Sequence, residues 1–127
     1  NLPITIVMAD VNKLKFINDT YGHAHGDKLL RKVSKALKEG CRGDDIVARI
    51  GGDEFVVLLP NTDSEDAETI IGRIKDVLNK EKILSFDVSV SFGYSTKYDE
   101  KEDIRYIFKE SEDSMYREKL QLKAGDR

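Results

Sequence analysis

Two short apolar runs, residues 46–50 and 55–60, are separated only by Gly51-Gly52-Asp53-Glu54. Runs of that length joined by a glycine pair predict a β-hairpin with the glycines at its tip. Glycine lets the backbone turn sharply and approach a ligand closely, and the next two residues set carboxylates beside it. A phosphate-bearing ligand cannot rest against bare carboxylates without a bridging cation. The turn Gly51-Gly52-Asp53-Glu54-Phe55 therefore predicts metal-assisted nucleotide chemistry, with Mg2+ as the ion and Mn2+ as its alternative.

The flanks of the hairpin repeat one pattern. Residues 4–9 form an apolar, largely β-branched run, the mark of a strand buried on both faces. Leu29, Leu30, Val33, Ala36 and Leu37 then recur at helical spacing, and Gly40 stops that helix. After the hairpin, Ala67, Ile70, Ile71, Ile74, Val77 and Leu78 mark a second amphipathic helix, opened by a capping region at 62–65. Phe86, Val88, Val90, Phe92 and Tyr94 alternate with small or polar residues and predict one half-buried strand, and Ile104, Ile107, Phe108, Ser111 and Met115 share a face of a last helix. The order is β-α-β-β-α-β plus a terminal helix. That is a ferredoxin-like α+β sandwich within the α/β class.

This topology has a chemical consequence. With a right-handed crossover and parallel first and second strands, the hairpin tip falls at the C-terminal end of the first strand, where Asp10 closes it. Asp10 and Asp53 are then expected to meet and form a site for a hard cation.

Composition excludes several function classes. The 127 residues predict one domain, 1–127, large enough for a sizeable core. A net charge of −3 argues against a nucleic-acid partner. No apolar run approaches the roughly 20 residues of a membrane span, so direct membrane contact is not expected. Cys41 is the single cysteine, which excludes an internal disulfide and fits a reducing, cytoplasmic setting. The chain opens almost directly on a strand, which predicts a piece of a longer multidomain signalling protein. Gly125-Asp126-Arg127 are either native or an added tail.

Between Asp10 and the first helix lies a polar, broken segment with Asn12, Lys13, Leu14, Lys15, Asn18, Asp19, Gly22, His23, Gly26 and Asp27. Its backbone amides can cradle phosphates, with Lys15 adding charge. Asn18 and Asp27 together offer the donors and acceptors that a guanine edge requires, although both residue types equally serve as turn and helix caps.

These residues, with Arg49, the full Gly51-Gly52-Asp53-Glu54-Phe55 signature, Ser89-Val90-Ser91-Phe92-Gly93 and Asp113-Ser114-Met115-Tyr116 followed by Lys119, resemble the GGDEF family of diguanylate cyclases over nearly the whole chain. The resemblance implies a core like the palm of nucleotide cyclases and polymerases. It implies condensation of two GTP into cyclic di-GMP and two pyrophosphates, across a transient antiparallel homodimer. Asp10, the Val11 carbonyl and Asp53 are implied metal ligands, Asp53 is the implied base, and Glu54 is either a second metal or base group or a brace for the turn. Lys15, Lys119 and Lys123 are implied phosphate contacts, although a lysine late on a helix is also ordinary solvated surface. Asn12, Lys13, Leu14, Asn18, His23 and Asp27 are implied substrate contacts, and a histidine after glycine also satisfies loop backbone. Arg42 and Asp45 stand where the family carries its RxxD product-inhibition site. The plain alternative is a local ion pair.

Three departures accompany the likeness. The family's Asp-x-Leu-Thr segment and Asn-Arg pair before the first strand are missing, in keeping with truncation and a missing upstream sensory domain. Lys13 and Leu14 stand where phenylalanine or glycine is usual, and Leu122 and Lys123 replace the glycine and arginine of the terminal Lys-x-x-Gly-Arg pattern. The implied setting is the bacterial cytoplasm, either free or as the cytoplasmic part of a membrane-tethered protein. The rival reading is a catalytically silent GGDEF domain that binds GTP or cyclic di-GMP as a sensor.

Overall fold

The first strand, β1 (Ile4–Val11), is buried along all but its first residue and lies inside the sheet rather than at its edge. A computed structural model describes residues 1–125; Asp126 and Arg127, the end of the native-or-added tail, lie outside the described residues. After β1 come α1 (Leu14–Tyr21), α2 (His23–Gly40), β2 (Ile46–Arg49), β3 (Glu54–Leu59), α3 (Ser64–Leu78), β4 (Lys82–Ile83), β5 (Phe86–Asp87), β6 (Val90–Lys97) and α4 (Ile104–Gly125). The main sheet has the order β2-β3-β1-β6, and each neighbouring pair is antiparallel. β1 and β2 therefore run in the same direction, as expected, but β3 lies between them. This split β-α-β is the ferredoxin-like arrangement.

Burial of β1 on both faces explains its uninterrupted apolar run. Val7, Ala9 and Val11 join Leu29, Val33, Leu37, Phe55, Val57, Ile70, Ile74 and Phe92 in the core beneath α2 and α3. Ile6, Met8 and Asp10 alternate to the opposite face. Met8 pairs with Gly93 of β6, and a Cβ built on Gly93 would lie 1.9 Å from the backbone nitrogen of Met115. α4 thus covers the Met8 face in near-contact with the strand, and only a residue without a side chain permits that approach.

Two parts of the polypeptide depart from expectation. The polar segment after Asp10 contains the helix α1, where Leu14 and Ile17 are buried one turn apart and Lys13 enters with φ 67°. The alternating stretch from Phe86 to Tyr94 is two strands, not one. Phe86-Asp87 pairs with Lys82-Ile83 in a separate two-stranded ribbon that turns at Leu84 (φ 55°), and the sheet strand begins at Val90 and continues to Lys97. The capping region before α3 resolves to Asp63, whose carboxylate accepts from the Asp66 amide at 2.9 Å.

Candidate active site

β1 ends at the edge of the sheet where the antiparallel β3 begins, and Asp10 stands directly opposite Glu54 in their register. The Val11 amide donates to the Asp53 carbonyl at 2.8 Å and ties the hairpin tip to the end of β1. Oxygen atoms of Asp10, Asp53 and Glu54 consequently all lie within 4.8 Å of one another. The expected meeting of Asp10 and Asp53 is present, with Glu54 as a third member.

The turn that presents these carboxylates is held from within. Ile50 donates to the Glu54 carbonyl at 2.9 Å, while the Arg49 guanidinium donates to the Gly51 carbonyl at 3.0 Å and to that of Gly52 at 2.9 Å. A planar fork engaging two successive carbonyls fixes their orientation as a single ammonium could not. Asn12 braces the neighbouring loop. Its amide donates to Ser89 Oγ at 2.9 Å, its carbonyl accepts from the buried Ser91 hydroxyl at 3.2 Å, and its backbone amide donates to the Ser89 carbonyl at 2.9 Å. Both side-chain ends of Asn12 are thus engaged within the loop.

Lys119 completes the cluster. Four residues along a helix advance about 6 Å, nearly the advance of two residues along a strand. With Met115 seated at Gly93, one further turn of α4 brings Lys119 over Asp10, where its ammonium lies 3.1 Å from Oδ2. Asp10 is 6% exposed, and its other oxygen, Oδ1, is buried without a hydrogen-bond partner. Desolvation raises the Asp10 carboxyl above its ordinary range, with Lys119 opposing that rise and Asp53 adding to it. Glu54 is raised by desolvation and by the charges of Asp10, Asp53 and Glu112. One buried and two half-buried carboxylates that repel one another, with an unsatisfied oxygen on the buried one, form a donor set suited to a hard divalent cation.

The matching family model is described as "Diguanylate cyclase, GGDEF domain" and covers residues 1–124. The chain belongs to the GGDEF family. Diguanylate cyclase A of Treponema denticola is 35% identical over 120 residues, covering 91% of this chain and 32% of the relative. Diguanylate cyclase DosC of Escherichia coli is 41% identical over 81 residues, covering 64% of this chain and 18% of the relative. The chain thus spans about a third or less of these curated relatives. Among solved structures, the active GGEEF domain of a diguanylate cyclase from Vibrio cholerae superimposes with a TM-score of 0.86 at 26% identity, covering 94% of this chain and 78% of the other. The GGDEF domain of PA1120 from Pseudomonas aeruginosa also gives 0.86, at 29% identity, covering 94% and 77%.

In this GGDEF domain the remaining candidate residues divide by location. Asn18 lies against Gly26, the residue before Asp27, across the α1–α2 junction. A Cβ at Gly26 would lie 1.7 Å from Asn18 Oδ1, so glycine there admits the asparagine, whose oxygen is buried and unpartnered. Asp27 is exposed and borders a groove of about 400 Å³ between α2 and the hairpin that also includes Leu30, Arg49 and Phe55. His23 is exposed at the start of α2. Lys13 precedes α1, and Leu14 is buried in its first turn. Lys15 is exposed and paired with Asp19 at 3.0 Å, away from the acidic cluster's hydrogen-bond network. Lys123 is exposed one turn beyond Lys119.

Arg42 and Asp45 bind each other. The Arg42 amide donates to Asp45 Oδ2 at 2.7 Å, its Nε lies 3.4 Å from the same oxygen, and its guanidinium also meets Thr62 Oγ1. The Arg49 fork, Ser89 and Ser91 as partners of Asn12, and Glu112 carried no individual role in the sequence. Only the serine alternation at 89 and 91 hinted at one of them.

Proposed function

We propose that this GGDEF domain is a diguanylate cyclase, condensing two GTP molecules into cyclic di-GMP with release of two pyrophosphates. The carboxylate cluster of Asp10, Asp53 and Glu54 carries the reading. Asp10, the Val11 carbonyl and Asp53 are the residues that would hold Mg2+ or Mn2+. Such an ion, when bound, supplies Lewis acidity that offsets charge on the α-phosphate and the leaving pyrophosphate.

The remaining chemistry belongs to the chain. Each protomer of a transient antiparallel homodimer holds one GTP, and each 3′-hydroxyl attacks the α-phosphorus of the facing nucleotide. Each attack forms one P–O bond, breaks the bond to pyrophosphate and transfers the hydroxyl proton to a carboxylate, that of Asp53, with Glu54 as the alternative base. Lys15, Lys119 and Lys123 meet the phosphates. Asn12, Lys13 and Leu14 shape the turn beside them. Asn18, with its unpartnered oxygen, and Asp27 read the guanine edge, while His23 faces the ribose.

Cyclic di-GMP returns to Arg42 and Asp45 as a feedback inhibitor, drawing Arg42 from its contacts with Asp45 and Thr62. Regulation comes from an upstream sensory domain or a separate activator. The related diguanylate cyclase SiaD from Pseudomonas aeruginosa, 27% identical with a TM-score of 0.85, is described in complex with its activator SiaC. Among the described residues no helix is long and apolar enough to cross a membrane; the cytoplasmic setting is part of the same proposal.

The second reading, a silent GTP or cyclic di-GMP sensor, is separated by one assay. The chain is incubated with GTP and Mg2+ at high protein concentration, alone and fused to a dimerising partner, and cyclic di-GMP is quantified by chromatography. Product in the wild type and none in Asp53→Ala supports the cyclase. GTP binding without product in either form supports the sensor.

A further inference from the structure

We infer that Lys119 is the internal occupant of the cation site, holding Asp10 while no divalent ion is bound and leaving it when one arrives. This rests on the reading of Asp10, Asp53 and Glu54 as metal ligands. Three carboxylates within 4.8 Å repel one another, and Glu112 adds negative charge near Glu54. The ammonium of Lys119 is hydrogen-bonded to Asp10 and offsets part of that charge. It reaches Asp10 across 109 positions of sequence.

The geometry makes this contact an exchange. Lys119 holds Oδ2 of Asp10, while Oδ1 of the same carboxylate is buried without a partner. Asp10 and Asp53 are the residues that would hold a divalent ion, and such an ion would have to share the Asp10 carboxylate with the ammonium, where two positive charges at short range repel strongly. The ammonium has an exit, because the Lys119 side chain is 37% exposed and ends a flexible four-carbon stem. The helix beneath it has none, because the Met115 and Ser111 backbones are seated on Gly93. Only the side chain moves.

Two measurements on the same protein test the exchange. Mn2+ is titrated by electron paramagnetic resonance into the wild type, Lys119→Met, Lys119→Arg and Asp10→Asn, each first checked for folding by circular dichroism. Lys119→Met is expected to bind Mn2+ about tenfold more tightly than wild type or more, through loss of one competing unit charge. Lys119→Arg is expected to stay near or below wild type, and Asp10→Asn to lose binding. In parallel, lysine acetylation by a succinimidyl acetate is followed by mass spectrometry, where saturating Mn2+ should raise labelling of Lys119 several-fold while leaving Lys35 unchanged.

Equal or weaker Mn2+ binding by Lys119→Met, or unchanged Lys119 labelling at saturation, overturns the exchange. The metal reading then survives if Asp10→Asn still abolishes binding. If no form binds Mn2+, the metal reading fails and the inference fails with it.

Discussion

Gly93→Ala tests how α4 delivers Lys119 to the site. The added methyl would lie 1.9 Å from the Met115 nitrogen, 2.5 Å from its Cα and 2.6 Å from the Ser111 carbonyl oxygen. All three are backbone atoms, so no change of rotamer relieves the clash. Restoring a normal separation of roughly 3.5 Å requires α4 and β6 to part by roughly 1.6 Å. Overpacking of a core contact costs typically 1–3 kcal/mol, and a backbone clash belongs at the upper end, about 3 kcal/mol. For a domain of this size that lowers the melting temperature by about 12 °C. The same displacement carries Lys119 away from Asp10, so the variant should also lose that ion pair. Gly72→Ala is the control. Gly72 lies within α3 with nothing within 4 Å of a built Cβ, so alanine there should stabilise by about 0.5–1 kcal/mol. Thermal and urea denaturation read both variants. A Gly93→Ala protein that melts within about 2 °C of wild type, or a Gly72→Ala protein equally destabilised, would refute the reasoning.

Arg49→Lys should loosen the hairpin tip, because one ammonium cannot reproduce the fork to the Gly51 and Gly52 carbonyls. Hydrogen exchange at 50–54 should quicken with a stability loss of about 1 kcal/mol, and unchanged exchange would remove the clamp from the argument. The raised carboxyls of Asp10 and Glu54 make the folded state bind more protons than the unfolded one, so metal-free stability declines as pH climbs above the ordinary carboxylate range. In chelator-containing buffer the melting temperature of Glu54→Gln, relative to wild type, should therefore increase with pH from about 4 upward, and a flat difference would contradict it. Asp63→Ala removes the cap on α3 and should cost about 1 kcal/mol by urea denaturation; a neutral result would show that the cap contributes nothing.

What the sequence revealed follows from where its signals are local. The hairpin, the buried first strand and the faces of α2, α3 and α4 each rest on a periodic pattern within one element, and their order sufficed to bring Asp10 beside Asp53. Helix α1 was hidden because its buried face is only Leu14 and Ile17, with Phe16 and Tyr21 left exposed. The split at 86–90 was hidden because period-two alternation runs unbroken from Phe86 into β6, while the ribbon is decided by a turn at Leu84 that nothing in the pattern marks. The Lys119–Asp10 pair depends on the seating of a helix on one glycine, a contact with no periodic trace. Gly26 likewise showed its purpose only once Asn18 was seen lying against it.

The central claim is that the end of β1 and the hairpin tip form one divalent-cation site that serves GTP. Anomalous diffraction from crystals grown with Mn2+ and a non-hydrolysable GTP analogue tests it most directly. The expected result is a Mn2+ peak bridging the carboxylates of Asp10 and Asp53 and the phosphates of the analogue, with Lys119 withdrawn from Asp10. Nucleotide in the crystal with no metal peak at these carboxylates, and Lys119 still bound to Asp10, would contradict it.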